Sequence, residues 1–122
     1  MANWLPRRPY LTPRVCAAAY ALLASIGCVA ALPEPTTAQV AAARASDPEL
    51  SLADLQRGRT AYIARCGNCH VLRWPGERAP EAWPLEVQRM QTQHQVRLSA
   101  DEQRDILRYL RAASQASVTS AP

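Results

Sequence analysis

The chain has no phenylalanine and no lysine, so all 14 of its basic residues are arginine. Glycine is scarce, at four among 122 residues, and only two methionines and two histidines occur. The charge is also low. The formal total is +4, and from Gln39 onward 11 arginines face nine acidic residues, a balance of +2. Arginines so few in excess and so scattered give no footprint for nucleic acid or an anionic membrane, and most read as solvated surface. No Ser-His-Asp set, no carboxylate pair in a cleft-like context and no phosphate loop is present, which leaves the common hydrolytic and phosphoryl chemistries without residues to carry them. No internal repeat occurs. At 13.4 kDa the chain has room for one small domain.

What is there begins with a targeting pattern. Arg7, Arg8 and Arg14 precede "VCAAAYALLASIGCVAAL", residues 15–32, an uncharged run of 18. A basic flank before an apolar run is the pattern of a secretory leader, and 18 residues is the lower limit for spanning a bilayer. The run is rich in Ala, which favours a cleaved leader over a retained anchor. Small residues suit cleavage in "TTA" before Gln39 and in "VAA" before Leu32, while "SIGC" resembles a lipoprotein signal that would acylate Cys28, with Ser25 where Leu is usual. The Arg7–Arg8 pair reads as plain flanking charge. Residues 33–50 are Pro-, Ala- and Thr-rich without apolar periodicity, the composition of a flexible tether.

Two longer helices follow. Ser51 caps the first with Asp54 as its reciprocal partner, and Leu55, Gly58, Tyr62 and Cys66 recur at helical spacing. Ser99 and Glu102 repeat the device before a stripe of Ile106, Tyr109, Leu110 and Ala113, with Asp101 and Glu102 suited to the positive helix start. A shorter helix is expected in "PEAWPLEVQRM", with Pro84 in its first turn and Trp83, Val87 and Met90 on one face. No strand pattern stands out. The fold class is all-α, with the domain at 51–113 and a disordered tail at 114–122. About 63 residues without phenylalanine rarely fold unaided, so something beyond the side chains has to fill the middle.

"CGNCH", Cys66 to His70, offers a candidate. Four cysteines divide into Cys16 and Cys28 in the apolar run and Cys66 and Cys69 here, so pooling them as a disulfide framework is unwarranted. A structural zinc site needs four ligands, and no second cysteine pair exists. A redox C-x-x-C belongs after a strand and at the start of a helix, whereas this one ends a helix. A disulfide across two residues restrains little chain entropy. C-x-x-C-H is, however, the attachment signature of c-type haem: two thiols form thioethers with the porphyrin vinyl groups, and the next residue puts an imidazole beneath the iron.

With Gly58 eight positions before Cys66, Tyr62 midway between, C-G-N-C-H itself and a final helix carrying "ILRYL", residues 51–113 resemble a class I c-type cytochrome of the bacterial periplasm. That resemblance implies a small helical domain wrapped around one covalently bound haem, with Cys66 and Cys69 as the thioether anchors and His70 as an axial iron ligand. It also implies that the first and last helices cross closely, Gly58 admitting Tyr109. "WPLEVQRM" is similar to a Trp-x-x-x-Val-x-Arg-Met subgroup in which the methionine ligates iron, so Met90 is the expected sixth ligand and His94 the rival. Pro80 stands where the family has a proline whose carbonyl receives the haem-ligating imidazole, with Pro75 as the alternative. Trp83, Trp74, Arg73, Arg78 and Arg89 are candidates for packing on the haem or meeting its propionates.

The function implied is one-electron transfer in the periplasm by a His/Met-ligated haem, without catalysis of its own, with redox proteins as donor and acceptor. A membrane tie would exist only if the leader is retained or Cys28 is acylated. Two rivals remain at this point: a cytochrome subunit of a periplasmic dehydrogenase or oxidase, and a gas-binding haem protein with an open sixth position.

Overall fold

The structure is a computed structural model, and it describes residues 31–119, with side chains to Ala116. The targeting pattern of residues 1–30, including Cys16 and Cys28, lies outside the described residues. Among the described residues four helices form: α1 (Thr37–Ala43), α2 (Leu52–Cys66), α3 (Trp83–Gln93) and α4 (Ala100–Thr119), with 3-10 turns at Pro75–Glu77 and Pro80–Ala82. Among the described residues there is no strand, so the architecture is all-α, as the periodicity suggests. Among them, too, no helix is long and apolar enough to cross a membrane.

Each long helix starts where its side chains satisfy the free amides. Asp54 N donates to Ser51 Oγ at 3.2 Å, and Ser51 N donates to Asp54 Oδ2 at 2.8 Å. Ser99 and Glu102 exchange the same two bonds at 2.9 and 3.1 Å. This reciprocal arrangement satisfies two otherwise orphaned amides per helix. α3 begins at Trp83 with Pro84 inside the first turn, where a missing N–H costs nothing.

α2 and α4 form the principal interface, and α1, α3 and both 3-10 turns pack against α4. The main core joins Tyr62, Trp83, Val87, Ile106, Tyr109, Leu110 and Ala113. The two stripes read from the sequence therefore meet as written. Their closest point is Gly58: a Cβ there would lie 1.9 Å from the carbonyl oxygen of Asp105 and 2.9 Å from Tyr109 Cβ. The helix backbones touch, and only glycine permits it.

Two sequence expectations are corrected. Residues 33–50 are no flexible tether, because α1 occupies the middle of that stretch and Val40 and Leu50 are buried with Leu55 and Ala112 in a second apolar cluster. The segment has only those two large apolar anchors, ten residues apart, so it shows no period. Its order comes from docking on α4, helped by Arg108 Nε donating to Asp47 Oδ2 at 2.7 Å. The Thr36–Gln39 capping box is the local sign that composition alone conceals. Nor does the domain end at Ala113. α4 runs on to Thr119, and Ser114 is wholly buried, accepting a hydrogen bond from Trp83 Nε1 at 2.8 Å.

Gly58→Ala should destabilise the protein although alanine is the better helix former. The propensity gain is about 1 kcal/mol, against roughly 1–3 kcal/mol or more for forcing two backbones apart. A lower denaturant midpoint is expected, and an unchanged or raised one would contradict the close crossing.

Candidate functional site

Cys66 is the last residue of α2, one turn beyond Tyr62 on the face that meets α4. Gly67 ends the helix, its N–H bonding Ile63 O at 3.1 Å, and Asn68 Nδ2 donates to Ala64 O at 2.8 Å. Those two bonds fold the chain back over the helix end and set Cys69 and His70 outside it. Cys66 is half-buried against the main core, Cys69 and His70 are exposed, and both thiols are free.

Burial, and secondarily the neighbouring Cys69, push the Cys66 thiol above the ordinary thiol range. A reactive redox pair instead has its thiol lowered at a helix N-terminus. This pair sits at a helix C-terminus, and Cys66 is shifted the other way. Among the described residues, no three or more His, Cys, Asp or Glu side chains gather as a protein-held metal would require.

Tyr62 fixes the far side of the motif. Its hydroxyl donates to Arg73 O at 3.0 Å, three residues beyond His70, so the loop carrying both cysteines is held against α2 at each end. Its ring meets Trp83 edge-on at 6.3 Å between centroids. Trp83 Nε1 is shared between Ser114 Oγ and Pro75 O, at 2.8 and 3.2 Å. Trp83, expected in a haem pocket, thus forms the link between α3, the first 3-10 turn and α4.

His70 Nδ1 lies 2.8 Å from Val71 O, not against a proline carbonyl. Pro80 is buried at the head of its 3-10 turn, and the Pro75 carbonyl is taken by Trp83 and Ser114. In this structure the carbonyl paired with His70 Nδ1 is thus that of the next residue, and Nε2 is the ring nitrogen left without this bond.

Met90 is half-buried on the α3 face shared with buried Trp83 and Val87. α3 stops one turn later. Both His94 N and Val96 N donate to Met90 O, at 3.2 and 3.1 Å, with Gln95 at φ 55° between them. This is a left-handed helix stop of the kind glycine usually fills. His94 is exposed at the cap. It leaves the face it would share with Met90 had the helix continued.

Arg73 pairs with Glu77 at 3.8 Å, and Arg78 and Arg89 both reach Glu86, at 3.3 and 3.6 Å. Arg78 Nε is nonetheless buried without a hydrogen-bond partner, and Trp74 is half-buried over Glu77, to which its N–H donates. Val71 and Leu85 are 91% and 62% exposed, large apolar side chains on either side of the 3-10 turns. Two free thiols, an imidazole with a committed Nδ1, an unsatisfied guanidinium nitrogen and two wet apolar side chains fit a haem. Ser114 is not singled out by the sequence pattern, and it carries no signal that would have found it.

Burial raises the Tyr62 and Tyr109 hydroxyls from 10.0 to about 12. Folding thus favours their protonated forms. Their contribution is fully present below about pH 10 and is lost as pH rises through about 12. Denaturation across that window should show the loss, and Tyr62→Phe should flatten it while costing about 1 kcal/mol at neutral pH for the missing bond to Arg73. Gln95→Gly should stabilise the protein by about 0.5 kcal/mol, strain relief outweighing the added chain entropy. Thermal melts of the haem-loaded variants check both.

No curated protein and no solved structure matches the chain. Residues 56–120, just over half of it, match the family model described as quinohemoprotein amine dehydrogenase A, alpha subunit, haem binding. The matched stretch takes in most of α2, the whole C-G-N-C-H motif, α3 and α4, and on that ground the chain belongs to this haem-binding family.

Proposed function

We propose that the protein is the electron-transferring cytochrome unit of an exported dehydrogenase, carrying one covalent c-type haem and performing no catalysis of its own. The family's description as part of a dehydrogenase subunit carries the reading, and the placement of C-x-x-C-H at the end of α2 supports it. The haem, when bound, supplies a one-electron Fe(III)/Fe(II) couple.

This chain's residues do the rest. Cys66 and Cys69 anchor the porphyrin through thioethers, the first from the core side and the second from the exposed side of the loop. His70, with Nδ1 on Val71 O, would hold the iron through Nε2. Met90, whose carbonyl is pinned by two amides, would hold it through its thioether, a ligand that would raise the potential and close the iron to gas or substrate. Arg78, whose Nε has no hydrogen-bond partner, would pair with a propionate. Trp83 and Tyr62 seal the loop against α4, keeping water from the buried side.

A free-standing periplasmic carrier is the second reading, favoured by the domain's own core, in which Leu55, Ile106 and Leu110 are fully buried. Co-purification of a larger dehydrogenase subunit from the native source supports the first reading, and isolation of the haem protein alone supports the second. Donor and acceptor are redox proteins in both, and the site of action is the periplasm.

The haem assignment is tested by acid-acetone treatment of the matured protein. Pigment should stay with the chain, and its extraction would defeat covalent attachment. The oxidised wild type should show the weak red-end band of Met-ligated ferric haem, Met90→Ala should lose it, and the reduced wild type should not bind CO rapidly. Prompt CO binding by the wild type would overturn ligation by Met90.

A further inference from the structure

We infer that the leader is cut between Ala31 and Leu32, and that the new N-terminus is a strap holding the α2–α4 crossing closed. The inference rests on the export reading above. Several contacts tie this stretch down. The Leu32 side chain packs against the main core, and its carbonyl accepts from Arg59 Nη2 at 3.2 Å. Pro33 O accepts from the hydroxyl of Tyr109, the residue that packs over Gly58, at 3.0 Å. Glu34 pairs with Arg59 at 2.8 Å, and Thr36 closes the cap of α1 with Gln39. One of the two compact units of the chain starts at Leu32.

The two candidate cleavage sites differ in what they would leave behind. Cutting before Gln39 would remove all four of these residues and the first two of α1, and would put a positive amine at a helix N-terminus, where the macrodipole opposes it. Cutting after Ala31 leaves every contact in place and has the small residues Ala31 and Val29 at the recognised offsets. A leader endopeptidase would hydrolyse the Ala31–Leu32 amide with one water, leaving a carboxylate on Ala31 and an α-amino group on Leu32.

This cut also decides the thiol inventory. Cys16 and Cys28 depart with the leader, so Cys66 and Cys69 are the only sulfhydryls of the mature chain. In an oxidising compartment a third thiol would compete by exchange for the anchors before haem is attached. Acylation of Cys28 would instead keep that residue and leave three residues between the lipid and Leu32.

The full-length chain is produced in a Gram-negative host with c-type haem maturation, and the haem protein is analysed by N-terminal sequencing and intact mass. A chain beginning Leu-Pro-Glu is expected. A start at Gln39, or an acylated Cys28, overturns the inference and leaves export standing, whereas an unprocessed cytoplasmic chain beginning at Met1 overturns both. The strap is tested with haem-loaded chains starting at Leu32 or Gln39 behind an unrelated leader. The shorter chain should melt about 5 °C or more below the longer one. Tyr109→Phe should lower the melting temperature of the Leu32 chain by several degrees and leave the Gln39 chain unchanged. No shift in the Leu32 chain overturns the strap, whether or not the shorter chain folds.

Discussion

Everything near the haem motif depends on the backbone of α2 touching that of α4 at Gly58. With a Cβ there 1.9 Å from Asp105 O, the helices could not approach this closely. The crossing fixes the register of α2, and one apolar stripe then does three tasks at one-turn intervals. Gly58 admits α4, Tyr62 reaches across to Trp83 and the loop, and Cys66 arrives half-buried at the helix end. A helix rotated by one residue would turn this stripe by about 100° and carry Cys66 off the core. The thiol's position is thus set eight residues before it.

The same crossing explains how a chain without lysine spends its arginines. Asp105, beside the contact, is nearly buried, and an ionised carboxylate removed from water costs several kcal/mol unless it is matched. Arg57 donates to it at 3.0 Å and also pairs with Asp54, while Arg104 and Arg108 stand 3.5 and 3.8 Å from its other oxygen. Arg108 also binds Asp47 through two nitrogens, at 2.7 and 3.2 Å. A planar guanidinium serves two carboxylates at once, which a lysine ammonium does less well. The hydrogen bond from Ser51 holds Asp54 down to about 2, so it stays ionised within this network. Around this crossing the arginines are therefore matched to carboxylates.

Periodicity and caps read from the sequence match the observed structure wherever a segment carries its own signal. Ser51–Asp54, Ser99–Glu102, the 55/58/62/66 stripe and the 106/109/110/113 stripe all appear as written. C-x-x-C-H pointed to haem from five residues, and the family match agrees that the domain binds haem. What escaped was order imposed from a distance. Val40 and Leu50 have no periodic neighbours, and Ser114 is a small polar residue whose burial depends on Trp83 and Pro75, 31 and 39 residues away in sequence. Helix termination was equally hidden: Gln95 adopts φ 55° without the glycine that usually marks such a stop, so His94 looked like a continuation of the Met90 face.

Those omissions change the role the prosthetic group has to play. Counted as 51–113, the domain looked too lean to close, and the haem had to fill its middle. Counted from Leu32 to Thr119, it gains a second cluster, in which Val40 and Leu50 cover Leu55 and Ala112, and Ser114 ties the first 3-10 turn to α4. The α2–α4 pair and its flanks are thus packed by protein alone. The side that is not packed is the stretch from Cys69 to Val71 and the start of α3 at Leu85, where thiol, imidazole and large apolar side chains face water. Apolar groups left wet in this way gain about 25 cal/mol for each Å² covered, and a haem of the kind this family binds would cover them. In this arrangement the helices position the motif, and the wet stretch beside it is the side left for the cofactor.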